Sequence, residues 1–237
     1  MPDTHSSVRL YGQLLVAVIL CAVLRLARST SAADAPGSFA YILQADRFAK
    51  TQKAVVDALA QCGGDWIILG ASFRGDDASR WSKADIQRVR DGKAARKVIA
   101  YLSIGEAEDY RLYWKAEWKR DPPDFLLREN PDWLGNYRVR FWSRAWQQII
   151  LADVDKLVAQ GCDGLYLDKV DIYEDFEFDP ASKVWIDNRP NPATGHTYRE
   201  DMIAWVQAIT SRSRSENSHC SEECEVPAGR RILLANN

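Results

Sequence analysis

The chain has 237 residues, a formal net charge of -2 and a sequence pI near 6.0, with 46% hydrophobic residues. That is ample apolar material for one large core, without the basic excess that nucleic-acid binding needs. Zinc-finger, basic-zipper and RRM patterns are missing as well, so no nucleic-acid partner is expected.

The opening segment reads as a targeting signal. Arg9 precedes an apolar run from Leu14 to Leu24, short for a bilayer span, and Ser31 and Ala33 fit the small-residue rule for cleavage after Ala33. Residues 1–33 are therefore expected to be a signal peptide and 34–237 the working domain. The protein is then secreted or periplasmic, with no stable membrane insertion after cleavage. An uncleaved anchor, helped by Arg25 and Arg28, is the alternative. Cys62, Cys162, Cys220 and Cys224 remain and allow three disulfide pairings. Cys220 and Cys224 beside His219 suggest a loop disulfide, since zinc would need a second ligand pair.

From Tyr41 onward, short apolar strands alternate with amphipathic helices, the mark of a parallel sheet with crossover helices. Tyr41–Gln44 is the first predicted strand, and a helix follows from Lys50 to Gln61. Trp66–Leu69 is the second strand. Ser82 and Asp85 open a helix that Gly92 ends. Lys97–Ser103 is the third strand, and an aromatic, charged excursion then runs to about Ser143. A helix over Arg144–Gln160 turns Trp146, Ile150, Val154 and Leu157 inward. The fourth strand is Leu165–Asp168, a further helix spans Tyr198–Arg212, and Ile232–Ala235 is the fifth strand. The fold class is α/β, a TIM-type (β/α) barrel in which about five of eight strands are visible. On that count the barrel is expected to be incomplete, truncated at its C-terminal side. An open doubly wound sheet is the alternative, but Gln44-Ala45-Asp46-Arg47 stands where its glycine-rich loop would be.

In such barrels the chemistry sits at the carboxyl ends of the strands. Strand alternation puts Tyr166 and Asp168 on one face and Leu165 and Leu167 on the other. Tyr101 and Ser103 likewise oppose Ala100, Leu102 and Ile104. Asp168 then points into the barrel mouth. Asp163, on the order of 17 Å away along the strand, belongs to the opposite end as a turn or cap residue. Glu106 and Glu108 lie just past a neighbouring strand end, and carboxylates facing a sugar can share acid, base and nucleophile roles. Tyr110 and Trp142 are candidates for stacking on sugar rings, whereas Trp114 and Trp118, four apart, suit the buried face of a short helix.

The stretches Tyr101-Leu102-Ser103-Ile104-Gly105-Glu106-Ala107-Glu108-Asp109-Tyr110-Arg111, Pro131-Asp132-Trp133, Gly135-Asn136-Tyr137 and Asp163-Gly164-Leu165-Tyr166-Leu167-Asp168-Lys169-Val170-Asp171 resemble glycoside hydrolase family 114, the endo-α-1,4-polygalactosaminidases. The resemblance runs from about Tyr41 to the last residue. It implies a secreted hydrolase of galactosamine-containing polysaccharide, metal-independent and without cofactor. Asp168 would be the nucleophile of a retaining double displacement, with Glu106 or Glu108 as helper or substitute acid. Tyr101, Ser103, Tyr110, Trp142, Tyr166, Asp171 and Asn237 would bind substrate. The family's acid/base glutamate is expected on a later strand. Two departures bear on this reading: Gly70-Ala71 stands where relatives carry Asp-Tyr, and Asn236-Asn237 where they carry Gln-Asn. Two competing functions remain, a non-catalytic polysaccharide-binding protein and a metal-dependent hydrolase using Asp168, Asp171 and Glu106. The histidines His5, His196 and His219 offer such a metal little, and carboxylates alone suit magnesium or calcium.

Overall fold

The computed structural model describes residues 37–215 and 232–235; the expected signal peptide, the Cys220 and Cys224 loop and Asn237 lie outside these. Along the chain run β1 (Phe39–Ile42), α1 (Ala45–Phe48), α2 (Gln52–Gln61), β2 (Trp66–Leu69), α3 (Lys83–Asp91) and β3 (Lys97–Ser103). Then come β4 (Glu106–Glu108), β5 (Leu126–Glu129), β6 (Asn136–Val139), α4 (Arg144–Ala159), β7 (Gly164–Asp168) and α5 (Tyr173–Glu177). The last elements are β8 (Phe178–Asp179), β9 (Val184–Trp185), α6 (Tyr198–Ser215) and β10 (Ile232–Ala235).

Five of these strands form one parallel sheet in the order β1-β2-β3-β7-β10. Among the described residues this sheet is open, with β1 and β10 at its edges. Parallel neighbours need long crossovers, which the helices supply. Ser82 starts α3 by accepting from the Asp85 amide while Asp85 accepts from the Ser82 amide, a reciprocal cap.

Pleat alternation sorts the two faces of the sheet as expected. Ile67, Leu69, Val98, Ala100, Leu102, Leu165 and Leu167 join the helix-side core with Val55, Leu59, Ile86, Trp146, Ile150, Val154, Trp205 and Ile209. Each fully buried aliphatic side chain there contributes about 1.5–3 kcal/mol. The other face carries a separate, smaller cluster of Ile68, Ile99 and Tyr101, flanked by Trp66 and Tyr166.

The amino-terminal end of the sheet is tied down by charged groups bonded to backbone. Buried Arg96 donates to the carbonyls of Leu59 (2.8 Å), Gly64 (3.0 Å) and Val89 (2.8 Å), and also to that of Cys62. It thereby gives a second partner to the last-turn carbonyls of Leu59 and Val89, which also accept from the Cys62 and Gly92 amides, and ties in those of Cys62 and Gly64. Asp163 accepts from the Val98 amide at 2.8 Å and from Arg90 at 3.0 Å. It is a turn residue of the far end.

Two expectations need adjusting. The first strand begins at Phe39 rather than Tyr41, because Gln44 already precedes α1. The excursion after β3 is an antiparallel sheet, β4-β6-β5, whose strands of three or four residues are too short to leave a readable period. Trp118 is buried as expected, in a 3-10 turn over Ala116–Lys119, with its ring 5.3 Å from that of Trp114.

Candidate active site

Across the β3–β7 ladder, Tyr101 lies opposite Tyr166 and Ser103 opposite Asp168. The two strand ends are therefore level. Tyr101 donates its phenol proton to Asp168 Oδ2 at 2.5 Å, a distance typical of a charge-assisted bond. Asp168 is half-buried on the face turned away from the helices. The rings of Tyr101 and Tyr166 stack at 6.3 Å, and Tyr41 meets both edge-on at 6.3 and 5.7 Å. Burial raises the Tyr41, Tyr101 and Tyr166 phenols above their ordinary range. The negative charge of Asp168 raises all three further, and Glu108 adds to it for Tyr101 and Tyr41. Tyr101 thus remains a proton donor toward Asp168 well into alkaline solution.

Just past β3 the chain is pinned in place. Trp146 on α4 and Trp205 on α6 both donate their indole N–H to the Ile104 carbonyl, at 2.9 and 3.4 Å. Gly105 follows, packed so closely against the Lys169 carbonyl and Ile172 that any side chain would collide. Lys169, directly after Asp168, takes the left-handed backbone conformation, φ 62°, uncommon for a non-glycine residue. These two close approaches bring the ends of β3 and β7 together.

The glutamates sit on β4 and are held differently. Glu106 is fully buried and accepts from Asn130 Nδ2 at 2.7 Å and Asn136 Nδ2 at 3.3 Å, with Lys169 Nζ 3.7 Å away. Glu108, also buried, accepts from the Tyr110 hydroxyl at 2.6 Å and from Arg111 Nε at 2.5 Å. The Arg111 guanidinium lies 5.8 Å from the Tyr101 ring centre, so Glu108, Arg111, Tyr101 and Asp168 form one connected cluster. Burial, then the Glu108 charge, raises the Tyr110 and Tyr113 phenols. The tip of the β5–β6 hairpin depends on Gly135, at φ +86°, where a side chain would strike the Asp109 carboxylate.

A cleft lined by Ala71, Ser72, Tyr101, Ser103, Glu108 and Arg111 runs beside this cluster. Asp168 is not in its lining but on the adjoining sheet face, and the hydrogen-bonded carboxylates, rather than this cleft, are the centre of the candidate site. Ser103 donates to the Glu106 carbonyl at 3.0 Å. Half-exposed Tyr110 borders Glu108, and Asp171 lies in the turn Val170–Ile172. Trp142 stands apart, packed against Phe141, Phe176 and Tyr198 at 5.0, 4.8 and 5.1 Å. Among the described residues no three metal-ligating side chains converge. Sequence reasoning assigned no role to Arg111, Asn130 or Asn136. The asparagines flank the hairpin turn, where they read as ordinary turn formers.

A parallel α/β sheet with buried and half-buried carboxylates just past adjacent strand ends is the arrangement by which α/β-barrel proteins set out their sites. Residues 72–219, more than half of the chain, match glycoside-hydrolase family GH114, and the chain belongs to that family. An uncharacterized protein of Deinococcus radiodurans is 42% identical over 142 residues, which cover 60% of this chain and 40% of that one. Protein MJ1477 of Methanocaldococcus jannaschii, also uncharacterized, is 43% identical over 123 residues, 52% of this chain and 35% of the relative. The chain thus spans well under half the length of these relatives. Among solved structures, a variant of the glycoside hydrolase domain of PelA from Pseudomonas aeruginosa superposes with a TM-score of 0.53 at 18% identity. That match covers 86% of this chain and 60% of the PelA chain. The fold is that of the TIM-type α/β barrels.

Proposed function

We propose that the protein hydrolyses galactosamine-containing polysaccharide by retaining double displacement, with Asp168 as nucleophile. The observation that carries this reading is the bond from Tyr101 to Asp168 at the level ends of two parallel strands. The phenol bond fixes the direction in which this carboxylate points. The carboxylate would attack the anomeric carbon, expel the leaving sugar and form a glycosyl ester that water then cleaves. The leaving oxygen needs a proton from a second carboxyl group, which the family resemblance puts on a later strand.

Glu108 takes the part of helper. Its bond from Arg111 Nε at 2.5 Å suits charge balance better than proton donation. Glu106, sealed between two asparagines, is a positioning residue for β4. Tyr101, Ser103, Tyr110 and Tyr166 border the cluster and are the proposed sugar contacts, with Asp171 in the turn after β7 as a further candidate; Trp142, in its separate aromatic cluster, is not among them. The amino-sugar substrate rests on the resemblance to polygalactosaminidases, and export rests on the apolar run and cleavage pattern of residues 1–33. Among the described residues no helix is long and apolar enough to cross a membrane.

The test is Asp168→Asn assayed for reducing-end release from α-1,4-linked galactosamine oligomers. Turnover is expected to fall at least about a thousandfold with the fold intact. Unchanged turnover overturns the assignment. Binding of the oligomer by the unaltered protein with no release at all would favour a non-catalytic binder.

A further inference from the structure

Arg111 has more donors than its cluster uses. Its Nε donates to Glu108 Oε2 at 2.5 Å, and among the described residues neither Nη1 nor Nη2 has a hydrogen-bond partner. The side chain is 14% exposed. Its guanidinium lies 5.3 Å from the Tyr110 ring centre and 5.8 Å from that of Tyr101. Held at Nε and against two rings, the fork is set before any ligand arrives. Little side-chain entropy is left to lose on binding.

The cleft that Arg111 lines is also bordered by Ser72, Arg80, Tyr113 and Asp153, and spare donors gather there. Arg80 pairs with Asp77 through Nε and with Asp153 through Nη2 at 2.8 Å, which leaves its buried Nη1 without a partner among the described residues. The hydroxyls of Ser72 and Tyr113 accept from the Gly75 and Glu108 amides at 2.8 and 3.0 Å, and their own protons remain to be given. A buried N–H with no acceptor is costly and rare; an oxygen entering the cleft would relieve it. The closed part of the cleft is about 20 Å³. That is enough for a water or one substituent of a sugar ring, and too small for the ring itself.

Charge narrows the ligand further. The charged residues of the lining cancel in pairs, Arg111 against Glu108 and Arg80 against Asp153. Both oxygens of Glu108 are taken, one by Arg111 and one by the Tyr110 hydroxyl. With no net charge and with protons to give, the cleft suits an uncharged oxygen acceptor. An ammonium has only protons to give and would face donors. Tyr101 connects the cleft to the candidate nucleophile, because its ring lies against Arg111 while its hydroxyl bonds Asp168 at 2.5 Å. We infer that Arg111 binds substrate, donating from Nη1 and Nη2 to an uncharged oxygen of the sugar chain, a ring hydroxyl or an N-acetyl carbonyl. This rests on the amino-sugar polymer reading of the substrate.

The test is calorimetry on the full chain carrying Asp168→Asn, so that ligand is not consumed, with free-amine and N-acetylated α-1,4-linked galactosamine oligomers as probes. Arg111→Lys keeps a cation beside Glu108 but offers a single nitrogen in place of the fork. It is expected to weaken binding about tenfold at an unmoved thermal midpoint. Weaker binding of the free-amine oligomer identifies a ring hydroxyl as the acceptor. Weaker binding of the N-acetylated oligomer alone identifies the acetyl carbonyl. Ala71→Leu narrows the cleft without touching the Arg111 pair, and is expected to weaken the same probe even if the Arg111→Lys protein does not fold. Unchanged affinity in the folded Arg111→Lys protein overturns the inference alone, whether or not the midpoint falls, and so does unchanged affinity in Ala71→Leu where only that variant folds. If the protein with Arg111 in place binds neither oligomer, the substrate reading fails and the inference falls with it.

Discussion

At the amino-terminal end of β3 and β7, Arg96 is bonded to main-chain carbonyls alone, and Asp163 to a main-chain amide as well as to Arg90. At the carboxyl-terminal end, Asp168, Glu106 and Glu108 are held by the side chains Tyr101, Asn130, Asn136, Tyr110 and Arg111. The contrast has a physical meaning. A charge satisfied by backbone is fixed by the fold itself and in turn locks that fold, whereas a carboxylate held by side chains can be tuned one partner at a time. In barrel proteins the first end governs stability and the second governs chemistry.

Substitutions at the two ends should therefore separate folding from turnover. Asp168→Asn has the largest expected effect, a loss of at least about a thousandfold in turnover with little change in thermal midpoint. Arg96→Met at the other end should do the reverse. It removes the donor from the Cys62 and Gly64 carbonyls and should cost about 2–4 kcal/mol by denaturant titration, with kcat unchanged per folded molecule. Loss of kcat without loss of stability in that variant would break the comparison. Tyr101→Phe removes one hydrogen bond to a charged group and is expected to lower kcat about tenfold to a hundredfold at steady KM.

The smallest effect concerns pH. The phenols of Tyr41, Tyr101, Tyr110, Tyr113 and Tyr166 are all raised, by burial first and by Asp168 or Glu108 next. In the unfolded chain they ionise near pH 10. A group whose native pKa lies above its unfolded value stabilises fully below the unfolded one and loses that contribution as pH rises beyond it. Thermal midpoints should therefore hold to about pH 9 and fall by about pH 11. The Tyr101→Phe protein should fall less.

Much of the sheet was legible because its strands are apolar runs bounded by turn residues. Trp66–Leu69, Lys97–Ser103 and Ile232–Ala235 are at the residues that patterning assigns. The facing of Asp168 followed from pleat parity alone. The small antiparallel sheet was not legible, since Glu106-Ala107-Glu108 looks like a polar loop and becomes buried only when Asn130 and Asn136 arrive from a distant hairpin. The ion pair of Glu108 with Arg111 was hidden for a similar reason. Spacing three apart suggests a helix, and here a turn makes the same contact.

The side-by-side placement of Ser103 and Asp168 also bears on the fate of misassembled chains. If β7 slid by one position against β3, Asp168 would turn toward the helices and Leu167 would turn outward. Such a molecule would lose the outward facing of Asp168 and much of its interior packing in the same event. A well-folded register isomer with Asp168 misplaced is therefore not a state this sequence supports.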